Sequence, residues 1–381
     1  MAAAQSIVDL PPVTTLALVP DYIPSDALAN VDALIGESRF DEAVERLDDA
    51  WPEVQAHPPL ALRHQLAQSW AEMYRGNLDE ADQLLLRAQR IAQLPQFDAA
   101  VRAEVLYRRG CVAFKQADIA RATELFTRAL ETNEWAPQPR TLLAANVYEW
   151  RSRCHQFRRD WDAAARDAER ALELAYEVGD ELCQAHALFQ VSLVAERKRD
   201  WLFARFNAER ALALYERFGD VLSTARILNN LGVINFLLGE VPAAESYLLS
   251  AAEKASLAQS DVDLAQSVNS LAQLYLRTGR PAEARVRAQR AVELLAGRND
   301  FRDELGIAQL IVAESLTAEG DVAGAEEWID AAESTFTSLG SVSHLANAWV
   351  ARGDAAREAA DLDRAADSYR RAAAALADVH F

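Results

Sequence analysis

The chain has 381 residues, is 51% hydrophobic and 25% charged, and carries a formal charge of −19 from 39 Lys and Arg against 58 Asp and Glu. That sign disfavours nucleic acid and anionic membrane as bulk partners. It serves either to keep an Ala-rich helical chain in solution or to attract basic peptides and basic protein surfaces.

Residues 1–24 stand apart as an arm. Pro11, Pro12, Pro20 and Pro24 forbid a helix there, and Val13–Val19 between them is apolar and partly β-branched. The opening MAAAQSIVDLPP lacks the basic start of a secretory signal, and the apolar run is too short to cross a bilayer. The arm is expected to be disordered or to cap the first repeat, or else to lie in the groove of the repeats, the cap being favoured over the groove by its direct connection to repeat one.

Residues 25–381 read as one repeat array. Nine alanines, Ala43, Ala81, Ala122, Ala164, Ala204, Ala244, Ala284, Ala325 and Ala365, recur every 38 to 42 residues, and each is followed seven residues later by another alanine. An apolar residue stands three before the first alanine in eight of the nine units, Pro281 being the exception. Twelve before it a small residue is usual (Ser69, Gly110, Ser152, Ser192, Gly232, Ala272, Ala313, Gly353), Val31 being the outlier. A period near 40 held this long is the mark of a solenoid.

The unit Thr224–Ala255 shows what one repeat is. Ile227, Leu231, Ile234 and Leu238 recur at helical spacing, Gly239 interrupts, and Val241, Ala244, Leu248 and Ala251 resume. Two helices of about four turns joined tightly make an antiparallel hairpin, with Gly232 and Ala244 where the helices approach closely. Between hairpins, Gly179-Asp180 and Gly219-Asp220 supply a left-handed C-cap and an N-cap. No segment alternates with period two, so the expected fold is all-α, a superhelix of about nine hairpins.

The segments ALELAYEVGDELCQAHALFQVSLV and ARILNNLGVINFLLGEVPAAESYLLSAAE resemble the tetratricopeptide repeat, in its longer bacterial and adaptor form of about 40 residues. Relatives by pattern are kinesin light chains, polarity adaptors with Leu-Gly-Asn repeats, and the sensor domains of bacterial regulators and peptide-pheromone receptors. The resemblance implies a right-handed α-solenoid whose first helices line a concave face that binds a peptide or protein segment. Six residues before the small position this face is mostly polar, including Asn146, His186, Arg226 and Gln266. Three before it, Asn229 and Asn269 stand in register 40 apart, with Asn230 following the first. An amide carries both donor and acceptor, so it can pair with the backbone of an extended peptide of any sequence. The motif NNLG resembles the Asn pair by which the light-chain and polarity-adaptor relatives hold their targets; VNSLA matches it in part. The same asparagines can instead satisfy neighbouring backbone.

A second feature is a basic edge at the turns inside two hairpins: Arg158 and Arg159, then Arg197, Lys198 and Arg199. It is either a solvated charge run or a docking edge for an acidic segment. Catalytic signatures are missing: no GxxxxGK[ST], GxGxxG after a strand, GxSxG or HExxH occurs. Cys154 and His155 resemble half a metal site with Cys183 and His186, but their helix phases set the pairs about two turns, roughly 10 Å, apart. Three cysteines, odd in number and without CxxC, point to a reducing compartment. The sequence thus reads as a cytoplasmic, non-catalytic scaffold without metal or cofactor. The alternative is a signal-responsive regulator similar to peptide-pheromone receptors.

Overall fold

The computed structural model describes residue 28 and residues 30–37, 39–298 and 301–377. The expected arm, residues 1–24, lies outside them. Eighteen α-helices account for the regular structure of the described residues, and none of it is strand. No described helix is long and apolar enough to cross a membrane.

The described residues fall into two compact units, one ending at Leu214 and one beginning at Tyr215. The N-terminal unit holds α1 (Val31–Gly36), α2 (Phe40–Val54), α3 (Pro58–Tyr74), α4 (Leu78–Ile91), α5 (Ala99–Lys115), α6 (Ile119–Glu134), α7 (Thr141–Phe157), α8 (Trp161–Val178), α9 (Glu181–Arg197) and most of α10 (Trp201–Phe218). The C-terminal unit holds α11 (Val221–Leu237), α12 (Val241–Leu257), α13 (Asp261–Arg277), α14 (Pro281–Leu295), α15 (Arg302–Glu319), α16 (Val322–Ser338), α17 (Val342–Glu358) and α18 (Leu362–Ala377).

Odd-numbered helices are the first members of the hairpins and even-numbered ones the second. The two kinds differ in pattern. In α4 a single stripe, Ala81, Leu84, Leu85 and Ala88, is buried, whereas α5 is buried around most of its circumference. A helix apolar on one stripe has one packed side, and a helix apolar all round is enclosed. Each first helix is therefore inner and each second helix outer.

Both alanine columns are core. All nine first alanines and all nine second alanines are at most 4% exposed. A Cβ added to Gly232 would lie 2.5 Å from Leu248 Cγ and 3.3 Å from the Ala244 carbonyl oxygen, so the two small positions touch as the spacing predicts. In another repeat the same pair of columns is joined by a hydrogen bond, Ser152 Oγ donating to the Ala164 carbonyl at 2.8 Å.

The junction signals act as caps. Gly179 ends α8 at φ 75°, and Asp180 and Asp220 each accept from the backbone N–H three residues on, at 2.9 Å. The turns inside the hairpins use a left-handed residue followed by a cap, and here the sequence is less orthodox. Gly76, Gly239, Gly279 and Gly320 hold that position in four repeats, but Arg159 (φ 59°) and Arg199 (φ 64°) hold it in two, and Ala117 and Ala360 in two more. Their following residues, Asp160 and Asp200, then cap α8 and α10.

Candidate functional site

The inner helices of the two units present different surfaces. In the N-terminal unit the surface is closed by its own charges. Arg108 and Glu104 on α5 pair at 2.6 Å, with the Arg108 guanidinium 4.9 Å from the Trp70 ring centre. One repeat later Arg153 and Glu149 on α7 pair at 2.5 Å, and the Arg153 guanidinium lies 4.7 Å from the Trp150 ring centre. All four charged residues are buried. Burial pushes the Glu149 carboxyl above its ordinary range, against the pull of Arg153. Arg108 and Arg153 are not among the residues expected from the sequence; their signal there is the Glu-x-x-x-Arg spacing in EVLYR and EWRSR.

Two candidate residues belong to this closed surface. Asn146 accepts from the Cys183 thiol at 3.6 Å, and both side chains are buried. His186 is 2% exposed, and burial, with the charge of Arg153, holds its imidazole down to about 3, so it is neutral near pH 7. The expectation that both line an open face is corrected: they pack between inner helices. His155 instead faces Asp167, whose carboxyl is held below its usual range despite burial by Arg151 and His155. Among the described residues no group of three or more His, Cys, Asp or Glu could hold a metal ion.

In the C-terminal unit the inner helices share a repeating stitch. Arg226 on α11 makes a two-pronged contact with Asp263 on α13, at 2.7 and 3.1 Å, with both side chains buried. One repeat on, burial raises the Glu304 carboxyl above its ordinary range, and a hydrogen bond from Gln266 offsets part of that rise. Asn146 and Cys183 have the same register in the other unit. A polar residue six before the small position thus reaches the one nine before it in the next repeat. Arg226, expected on the concave face, thus has a carboxylate supplied from within the chain by Asp263.

The asparagines are placed differently. Asn229 is half-buried, its Oδ1 shielded from solvent and without a hydrogen-bond partner. Asn269 donates from Nδ2 to the Glu304 carbonyl at 3.3 Å, while its Oδ1 is likewise shielded and unpartnered. Asn230 is buried, turned from Asn229 by the helical step between successive residues. Arg226 Nη1 and Glu304 Oε1 are also buried without partners. Of these four residues on α11, α13 and α15, one donor and three acceptors lack a hydrogen-bond partner. Unmatched buried polar groups are costly, and a ligand backbone carries the complementary groups.

Arg158 and Lys198 follow the ends of α7 and α9, and Lys198 crosses to Asp162 at 2.8 Å. Asp162 lies three residues past Arg159, so the two turns adjoin. Arg158, Arg159 and Arg199 make no ion pair with any described residue. Arg158 also rims an open depression of about 710 Å³ along α6, floored by Ile119, Thr123 and Thr127.

Residues 223–296 match the family model described as tetratricopeptide repeat. No curated protein matches the chain by sequence. Solved structures with a similar fold include apo RapI, at 14% identity and a TM-score of 0.67 over 92% of this chain and 96% of that one. A Rap protein complexed with Competence and Sporulation Factor is 18% identical, with a TM-score of 0.66 over 92% and 96%. The apo quorum sensor NprR from B. thuringiensis is 13% identical, with a TM-score of 0.66 over 92% and 99%. Residues 223–296 are tetratricopeptide repeats, and the chain is a helical-repeat protein of the tetratricopeptide fold.

Proposed function

We propose that this protein is a non-catalytic, cytoplasmic scaffold that binds a peptide or protein segment along the inner helices of its C-terminal unit. The observation that carries this reading is the pair of shielded, unpartnered amide oxygens of Asn229 and Asn269, in register on successive inner helices. Turned about its terminal side-chain bond, each amide can accept a backbone N–H of an extended segment. Recognition of this kind reads the main chain and tolerates many sequences.

The test is capture from native lysate with mass spectrometry, followed by affinity measurement on the captured partner. Asn229→Ala/Asn269→Ala should weaken binding by about 1–3 kcal/mol, since each hydrogen bond is worth about 0.5–1.5, with helicity unchanged. Retrieval of the same partner at unaltered affinity would refute the assignment.

A second reading is a signal-responsive regulator, favoured by the fold shared with a Rap protein complexed with Competence and Sporulation Factor and with the quorum sensor NprR. It requires the repeat array to change pitch when a peptide binds. Small-angle scattering with and without the captured partner separates the two: a change in radius of gyration supports the switch, and an unchanged radius supports the scaffold.

A further inference from the structure

The outer helix α10 carries an apolar stripe that the other outer helices lack. Leu202, Phe203 and Phe206 are 63%, 45% and 55% exposed. At the position of Phe206 the other repeats mostly carry polar residues such as Glu124, Arg166, Ser246, Glu327 and Asp367. The stripe extends onto α8, where Tyr176 is also exposed and accepts a hydrogen bond from Arg210. The Arg210 guanidinium lies 5.3 Å from the Phe206 ring centre and 5.8 Å from that of Tyr176, so the four apolar side chains and Arg210 form one patch. Large side chains of this kind offer about 150–250 Å² each, so roughly half-exposed they present some 400 Å². That is the apolar core of a small specific interface.

Charge sets what the patch fits. Cations stand at both ends of the stripe, Arg199 just before α10 and Arg210 two turns along it. Several of the nearby anions are engaged. Asp162 holds Lys198, Asp200 caps α10 through the Phe203 N–H at 3.2 Å, and Glu209 lies 4.0 Å from Arg205. Arg199 makes no ion pair among the described residues. It stands in the left-handed turn just before α10. A second copy of the same patch would bring like charges face to face. A partner with an apolar stripe ended by carboxylates matches both features.

We propose that the outer face of α10, through Leu202, Phe203 and Phe206 between Arg199 and Arg210, docks an acidic amphipathic helix of a partner protein. This surface is separate from the inner face assigned above. The probe is a fluorescent helical peptide of about 16 residues, with leucines at i, i+3, i+4 and i+7 and glutamates at both ends of the stripe. Its counterpart carries lysines in place of the glutamates.

The glutamate peptide should bind the full chain in the micromolar range, the low end of interface affinities, and at least tenfold more tightly than the lysine peptide. Leu202→Ser/Phe206→Ser should weaken it at least tenfold at an unchanged Tm. Arg199→Glu/Arg210→Glu should reverse the preference between the peptides and serves as the second variant if the serine pair lowers Tm. Asn229→Ala/Asn269→Ala should leave this binding unchanged, whatever becomes of the inner-face reading. Equal binding of the two peptides, or no effect of either α10 variant, would overturn the proposal. So would self-association in sedimentation velocity that Phe206→Ser abolishes. Phe206-dependent co-sedimentation with phosphatidylcholine–phosphatidylserine vesicles, without peptide binding, would assign the patch to a membrane instead.

Discussion

Replacing His186 with glutamine isolates the cost of keeping an imidazole neutral inside the N-terminal unit. His186 is 2% exposed, and burial, reinforced by the Arg153 charge, holds it down to about 3. In the unfolded chain the same group titrates near 6.5. Its folded value is lowered, so its contribution to stability is complete above pH 6.5 and is withdrawn as pH falls from there towards 3. Linkage amounts to about 1.4 kcal/mol per pH unit in that window. Between pH 7 and pH 5 the wild type should therefore lose about 2 kcal/mol through this residue, and His186→Gln should lose none. Urea unfolding at both pH values, compared between the two proteins, measures the difference. His64, whose pKa burial also lowers, is present in both and cancels. Equal losses would refute the buried, neutral placement and return His186 to an open face, where it would titrate near its ordinary value.

Three further outcomes follow from the packing. Ala244→Leu should destabilise by about 1–3 kcal/mol by overpacking, while the exposed Glu253→Gln should stay within about 0.5. Thermal melts followed by circular dichroism check both, and a tolerated Ala244→Leu would break the register of the hairpins. Asp263→Asn should cost about 3–5 kcal/mol because it leaves Arg226 buried without its carboxylate. The paired change Arg226→Met/Asp263→Leu should recover most of that in chemical denaturation, and failure to recover would mean the pair is not an isolated stitch. Arg199→Gly should stabilise by about 1 kcal/mol by relieving the left-handed turn; a loss of stability would show that its side chain holds the fold.

The alanine columns, the small partners twelve residues before them and the Gly-Asp junctions were legible in the sequence because they answer to local rules. A 3.6-residue period, a close helix approach that excludes larger side chains, and a backbone that must turn all leave marks on the residues that obey them. Gly232 and Ala244 were paired from spacing alone, and they touch. The destination of a polar side chain on an inner helix carries no such mark. Asn146, His186, Arg226 and Gln266 share one column, yet Asn146, Arg226 and Gln266 bond across to the next repeat while His186 is enclosed. Only the distance between neighbouring inner helices decides whether a side chain spans the gap or faces solvent. The same holds for Leu202, Phe203 and Phe206, whose letters fit a core and whose helix phase puts them outside. Periodicity along one chain settles which elements form; which side chains meet is a property of the stack, because the partners lie a whole repeat apart.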